Sequence, residues 1–478
     1  MDIRRTARGV ARGSARVVTL AVAALLLVTA AGARAVAQGT ATGGGVPRLA
    51  YEKYTLPNGL EVILHEDRSV PLVAVNTWYK VGSGDEKVGR TGFAHLFEHI
   101  LFMGSQHVPV GAFDQWLEAA GANNNGSTWF DRTNYYEWMP SNALPLALWL
   151  DADRMGWLLP TMDQGKVDLQ RDVVKNERRE RTDNAPYGHA YETILAAMYP
   201  QAHPYSWPTI GSMADLSAAS LEDVKQFFRT YYAPNNATIV IAGDFDRDSV
   251  KTWVARYFGN IPRGPAMPAR PQPAAFAVKD TFLVIEDKVQ LPRVYDAWHT
   301  AKNYTADDAA LTVLAQVLAN DKNSRLYKRL VYDMQVAQDV GAGQEGYKLD
   351  GHFLVVVTPK PGQTPQQMQR YVDEEIATIS RDGITPRELD RARNSIRARF
   401  LDQLASVSDK ADLLNSYNYL VGEPDWARED AARFDRVTAE DVRRVAEQYL
   451  QKAGRVVLTV VPEGKTDMKV TATAGGTP

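Results

Sequence analysis

Ser220-Leu221-Glu222-Asp223-Val224, followed by Tyr231 and Ala237-Thr238-Ile239-Val240-Ile241, returns 218 residues later without a gap as Thr438-Ala439-Glu440-Asp441-Val442, Tyr449 and Arg455-Val456-Val457-Leu458-Thr459. Each copy opens on a hydroxyl residue with acids behind it, which satisfies free helix N–H groups and suits the positive end of the helix dipole. Each then runs into an apolar stretch, so both copies read as helix followed by strand. Upstream, Leu60 to Leu64 and Leu72 to Tyr79 read as a strand pair, with Phe282 to Ile285 and Val294 to Trp298 as its counterpart. The expected fold is therefore α+β: two homologous domains from a duplication, each a mostly antiparallel sheet with helices packed on one face.

The copies are separated by residues 261–279, where Pro262, Pro265, Pro268, Pro271 and Pro273 exclude a helix or a central strand. This predicts a first domain over 51–260, a Pro-rich linker, a second domain over 280–465 and a disordered tail over 466–478. The first 37 residues differ in kind. Arg4, Arg5, Arg8, Arg12 and Arg16 precede an apolar run of 15 residues from Val17 to Ala31, and small residues follow. The run falls short of the ~20 residues that span a bilayer, so it reads as a signal peptide and not as a stable membrane anchor. The mature protein is expected to be exported, either periplasmic or secreted, with residues 38–50 as a flexible leader. The signal segment carries +5 of a whole-chain net charge of −3, which leaves −8 on the rest. An acidic mature protein without a basic run argues against nucleic acid as a partner. There are no cysteines, so no disulfides form and any metal must be held by nitrogen and oxygen.

His95-Leu96-Phe97-Glu98-His99 uses two of only eight histidines in 478 residues. In a helix, His95 and His99 stand one turn apart and Glu98 lies on the same side. Phe93, Leu96, Phe97, Ile100 and Leu101 around them support that helix. Two imidazoles and a carboxylate suit zinc, whose catalytic sites take three protein ligands. A third ligand must come from elsewhere. The charged helix expected over 167–180 offers Glu177 and Glu180. Asn123 to Phe130 reads either as an Asn-rich turn entering a strand or as a substrate contact. His107, His189 and His203 read as structural or surface residues, while His65, His299 and His352 fall in expected strands and carry no assigned role.

Taken together, His95-x-x-Glu98-His99 and the Val-Val-Lys-Asn-Glu177 segment 78 residues on resemble the inverted zinc motif of the pitrilysin-like M16 metallopeptidases, the inverzincins. Gly92 to Gly104, Gly121 to Thr128, Pro186-Tyr187-Gly188, His203-Pro204-Tyr205 and Pro234-Asn235-Asn236-Ala237 before Gly243-Asp244 extend the likeness along the mature chain. It is a likeness to the half-length subunits of the processing-peptidase β kind. The resemblance implies a zinc endopeptidase acting on peptides or unfolded segments, with one zinc per chain on His95, His99 and Glu177 and with Glu98 as general base. It also implies an edge strand with Asn125, Gly126, Ser127 and Thr128 that binds the peptide substrate. The alternative is a non-catalytic structural or binding subunit.

The second half retains no such motif near Ala309 to Leu318 or Leu389 to Arg397, so one site per chain is expected. Members of this family also present an Arg and, seven residues later, a Tyr from a C-terminal domain. The favoured alignment puts Val331 and Gln338 there, whereas Arg325 and Tyr332 share the spacing in another register. Loss of the pair implies a partner, either a homologous subunit that carries it or a second copy in a homodimer.

Overall fold

The computed structural model describes residues 45–270 and 272–472. The expected signal peptide and most of the 38–50 leader lie outside them. Strands β1 (Glu52–Thr55), β2 (Glu61–Glu66), β3 (Leu72–Tyr79), β4 (Asn123–Thr128), β5 (Thr133–Pro140) and β6 (Ala237–Gly243) form a sheet in the order β1-β2-β6-β3-β5-β4. Strands β7 (Thr281–Asp287), β8 (Arg293–Thr300), β9 (Ala337–Gly346), β10 (Gly351–Pro359) and β11 (Arg455–Pro462) form a second, ordered β7-β11-β8-β10-β9. With β1 set aside, the two orders are identical. In each, the last strand of the half runs parallel to the first and antiparallel to the second. The duplicated α+β fold read from the 218-residue repeat is the fold observed.

One expectation is corrected. β2 and β3 are not hydrogen-bonded neighbours, because β6 inserts between them, and β11 inserts likewise between β7 and β8. The reason is burial: all seven residues of β6 are buried. Such a continuous apolar strand needs a neighbour at each edge and cover on each face, so it belongs at the centre of a sheet.

Alternation along β3 separates two faces. Val73, Val75 and Tyr79 join a core built with helices Phe93–Ile100, Leu144–Trp157, Leu221–Tyr231 and Arg247–Phe258 of the same half. Asn76 and Trp78 face the other way and meet helix Val407–Leu420 of the second half, where both donate to Asp412 Oδ1 at 3.1 Å. Asn415 Nδ2 donates to the Asn76 carbonyl at 2.8 Å, and Lys53 Nζ to Asn418 Oδ1 at 2.7 Å. The exchange is reciprocal. Helix Ala190–Met198 of the first half lays Ile194, Leu195 and Met198 against Tyr295, Ala297, Val456 and Leu458 of the second sheet. The two exchanged helices occupy equivalent places in the repeat, yet one contact is polar and the other apolar.

Residues 261–279 contain no helix or strand among those described, but they are pinned. The Arg270 guanidinium bridges Asp85 and Asp131, with Nε 2.9 Å from Asp85 Oδ1. Asp131 also accepts the Tyr205 hydroxyl at 2.8 Å and the Lys348 N–H at 3.0 Å, which joins both halves to the linker. The ends of the fold differ from expectation. Leu49 N–H donates to Asp425 at 2.8 Å and His65 Nδ1 to the Ala50 carbonyl at 2.8 Å, so residues 49 and 50 are tied down. Within residues 466–472 one side chain is packed: Val470 is fully buried beside Val457 and Phe282, and its N–H reaches Thr459 Oγ1. A single apolar side chain packed on the sheet leaves no periodic trace, which is why this stretch reads as a tail.

Two buried polar groups make the fold testable. Arg154 donates to Glu137 Oε1 at 2.8 Å, pairs with Asp151, and lies 4.6 Å and 4.5 Å from the ring centroids of Phe113 and Tyr135. Arg154→Leu strands buried carboxyl groups and is expected to cost about 3–5 kcal/mol in chemical denaturation. His203, stacked on Tyr199 at 4.4 Å and facing Phe276 and His299, accepts the Tyr205 N–H on Nδ1. Burial pushes it down to about 4, so the native state holds it neutral while the unfolded chain takes the proton first. Its share of stability is full above the ordinary histidine range and falls as pH drops towards 4. His203→Asn, which keeps an acceptor for Tyr205, should flatten the acid limb of urea midpoints measured between pH 7.5 and 4.

Candidate metal centre

Helix Phe93–Ile100 carries His95, Glu98 and His99, and helix Gln164–Arg178 carries Glu177. The second helix starts where Asp163 accepts the Lys166 N–H at 2.9 Å, and beyond Arg178 the chain widens into a π-helix over Arg179–Asp183. Between the helices, His95 Nε2 and His99 Nε2 stand 3.6 Å and 3.2 Å from Glu177 Oε2. The two rings are nearly perpendicular, with centroids 4.9 Å apart. One ligand-capable atom from each of the three residues lies within 4.8 Å of the others, and among the described residues no other His, Asp and Glu side chains form such a group. Glu180, the competing acid, is exposed and outside it.

The electrostatics of the group call for a cation. Glu177 Oε1 is engaged by Arg181 at 2.5 Å, but Oε2 is buried with no hydrogen-bond partner despite the imidazoles in front of it. His99, then His95 and Arg181, hold this carboxylate below its usual range against the opposing effect of burial. Burial, with His99 beside it, pushes His95 down to about 4, so its ring is neutral and its Nε2 is free to act as a ligand. Two imidazoles and an ionised carboxylate oxygen without a donor form the set that zinc accepts. The residues fit the ion.

Glu98 is held from the opposite side by β4. Thr128 Oγ1 donates to Glu98 Oε2 at 2.7 Å. A Cβ at Gly126 would come within 2.9 Å of Glu98 Cγ, so glycine lets the strand lie directly on the carboxylate. Burial raises the Glu98 carboxyl above the ordinary range, with Thr128 and His99 acting in the other direction. The register against β5 places Asn125 opposite Tyr136, Gly126 opposite Tyr135, Ser127 opposite Asn134 and Thr128 opposite Thr133. Gly126 and Thr128 therefore face the motif helix. Asn125 and Ser127 face the other way, where Ser127 Oγ donates to Asn134 at 2.6 Å beside a polar cavity of about 190 Å³ lined by Arg132, Tyr136, Asp409 and Asp412. β4 is the last strand of its sheet, so its outer edge has no strand partner among the described residues.

Several contributors have no local signature in the sequence. Arg132 lies 5.3 Å from the Trp78 ring centroid and donates to the Ser127 carbonyl at 3.0 Å, which steadies β4. Tyr135 donates to the Phe97 carbonyl at 3.0 Å and supports the motif helix from the sheet. The residues proposed opposite the metal also have definite places. Val331 is half-buried beside the second core, and Gln338 is exposed on β9. Arg325, the other candidate, is committed to Glu388 at 2.7 Å and 2.9 Å and to Glu375 at 3.3 Å, while Tyr332 is 74% exposed. Helix Ala306–Leu318, the second-half counterpart of the motif helix, is buried along most of its length and holds no His or Glu.

Comparison with known proteins places this geometry. Residues 61–211 match the family model "Insulinase (Peptidase family M16)" and residues 218–396 match "Peptidase M16 inactive domain". The zinc protease PqqE of Helicobacter pylori is 30% identical over 425 residues, which cover 86% of this chain and 93% of that one. The crystal structure of a protease from Helicobacter pylori superposes with a TM-score of 0.80 at 28% identity, over 87% of this chain and 100% of that one. The periplasmic protease PqqL of Escherichia coli shares the fold at a TM-score of 0.74 and 18% identity, and the match spans 90% of this chain but 50% of PqqL. Since two family models span most of the described residues and a relative is 30% identical along nearly all of them, the chain belongs to peptidase family M16.

Proposed function

We propose that the chain is a zinc-dependent endopeptidase, in which His95, His99 and Glu177 hold one zinc ion and Glu98 serves as general base and then general acid. The observation that carries this reading is the buried, unpartnered Glu177 Oε2 facing two imidazole nitrogens, with a second carboxyl, the half-buried Glu98, on the helix that carries the imidazoles. Zinc held there would supply the Lewis acidity that polarises a peptide carbonyl and acidifies a water. Glu98 takes a proton from the attacking water and passes it to the leaving amine nitrogen. A carboxyl raised by burial retains that proton between the two transfers better than an exposed glutamate would. Thr128 fixes Oε2, which orients the other oxygen for the transfer. A substrate backbone adding to the outer edge of β4 would lie extended beside this carboxyl, with Asn125 and Ser127 on the face that receives alternate side chains. Peptides and unfolded segments can add in this way, whereas folded domains rarely offer a free strand. The leader sequence and a fold neighbour described as periplasmic support export.

A partner completes the reading. Val331 and Gln338 occupy the positions expected for oxyanion and substrate donors, and Arg325 is consumed in ion pairs within its own half. A homologous subunit that carries the Arg and Tyr would face the site and supply them. A fold neighbour twice this length fits that arrangement.

Glu98→Gln is expected to keep zinc at the wild-type stoichiometry while turnover falls roughly 10²- to 10⁴-fold, measured by mass spectrometry of a digested peptide mixture with and without chelator. Full cleavage by that variant with zinc bound would remove Glu98 from its role. Without its partner, the purified chain should turn over slowly; rapid cleavage by a species shown to be monomeric by light scattering would dispense with the second subunit.

A further inference from the structure

The helix that carries both histidines has an unusual beginning. It is eight residues long, about two turns, and its N-cap is Gly92 at φ +89°, which has no side chain to accept the free N–H groups of the first turn. Glycine is required there by a close backbone approach. A Cβ on Gly92 would lie 2.8 Å from the Ile210 carbonyl oxygen, and one on Gly211 would lie 2.4 Å from Gly92 Cα. The cap comes instead from Glu86, which is buried. Its Oε2 accepts the Gly92 N–H at 2.9 Å and its Oε1 the Ala94 N–H at 2.8 Å, so one carboxyl group grips the residues immediately before His95.

The loop pressed against Gly92 also reaches the other ligand helix. Thr91 donates through its N–H and its hydroxyl to Asp215 at 3.0 Å and 2.6 Å, and Ser212 N–H returns a bond to Thr91 Oγ1 at 3.1 Å. Arg178, next to Glu177, donates to the Gly211 carbonyl at 2.8 Å and to Glu192 at 2.8 Å. The N-terminal end of the histidine helix and the C-terminal end of the glutamate helix are thus anchored to the same stretch of chain, residues 210–215. Freeing the first turn of so short a helix would move His95 first, because it belongs to that turn, and His95 Nδ1 has no bond of its own to hold the ring.

We infer that Glu86 is a positioning residue of the metal centre, whose carboxyl supplies the cap that Gly92 cannot and thereby holds His95 and His99 where Glu177 meets them. This rests on the metal-centre reading above, and the test separates the two. Zinc affinity of the full chain is measured by competition with a chromophoric chelator, alongside the melting temperature of the metal-free protein and the absorption bands of the cobalt(II)-loaded form. Glu86→Gln, which turns one acceptor into a donor, is expected to bind zinc about ten- to a hundred-fold more weakly and to shift the cobalt bands, as loss of an outer partner of metal ligands does. Thr364→Ala, which removes the cap of helix Pro365–Asp382 in the other half, should lower the melting temperature without altering either metal readout. If Glu86→Gln does not accumulate as folded protein, Glu86→Asp, which keeps the carboxyl and withdraws both oxygens, is read in the same way. Zinc affinity and cobalt bands equal to wild type in the Glu86 variant would overturn the inference. Failure of the wild-type chain to bind zinc would instead overturn the metal centre itself.

Discussion

Each sheet of this protein has two faces to bury, and each half brings a helical layer for only one of them. The other face is closed by a helix lent from the opposite half: Val407–Leu420 onto the first sheet and Ala190–Met198 onto the second. This mutual debt explains why the chain is one body. It also sets the character of the candidate site, because the helix over the first sheet makes polar contacts through Asp412, Asn415 and Asn418. This polar interface beside β4 keeps a cavity of about 190 Å³, whereas the other exchange packs apolar side chains together.

Against that frame the candidate centre is a problem in desolvation. Two imidazoles and two carboxyl groups have been moved out of water, and the protein compensates them unequally. Arg181 and Thr128 each satisfy one carboxylate oxygen, but Glu177 Oε2 and His95 Nδ1 remain without partners. Buried polar groups left unpaired are costly, and they persist where an ion or a reaction makes use of them. The rest of the neighbourhood spends its bonds on geometry: Glu86 on the first turn of one helix, Arg178 on the last of the other, Tyr135 on the carbonyl of Phe97, Arg132 on the backbone of β4. The second half lacks the ligands and buries the corresponding helix instead.

Much of this is legible in the chain itself. The spacing of His95, Glu98 and His99 follows from 3.6 residues per turn, and the caps at Ser220 and Thr438 are local signatures that the structure reproduces as reciprocal capping boxes. What escaped local reading involves contacts between distant residues. The insertion of β6 between β2 and β3 is chosen by burial on both edges, which an apolar run announces without naming its neighbours. Thr128 reads as one of four strand residues equally available to a substrate, yet the pleat turns it, with Gly126, towards Glu98 and leaves Asn125 and Ser127 on the opposite face. Val470 is anchored by packing against residues of three strands, which no period in its own segment reflects.

The sequence by itself determined the duplication, the two halves, the presence of a helix with two histidines and a carboxylate on one side, and the family likeness those features carry. All of these depend on spacing along the chain, where geometry repeats every few residues or every 218. Spacing left Glu177 and Glu180 open and only the family likeness preferred Glu177; the tertiary structure alone decided how its carboxylate meets the imidazoles, that each half covers a face of the other's sheet, and that a buried Glu86 stands in for the cap a glycine cannot provide. Periodicity tells which face of an element is buried; only the packed chain tells what it is buried against.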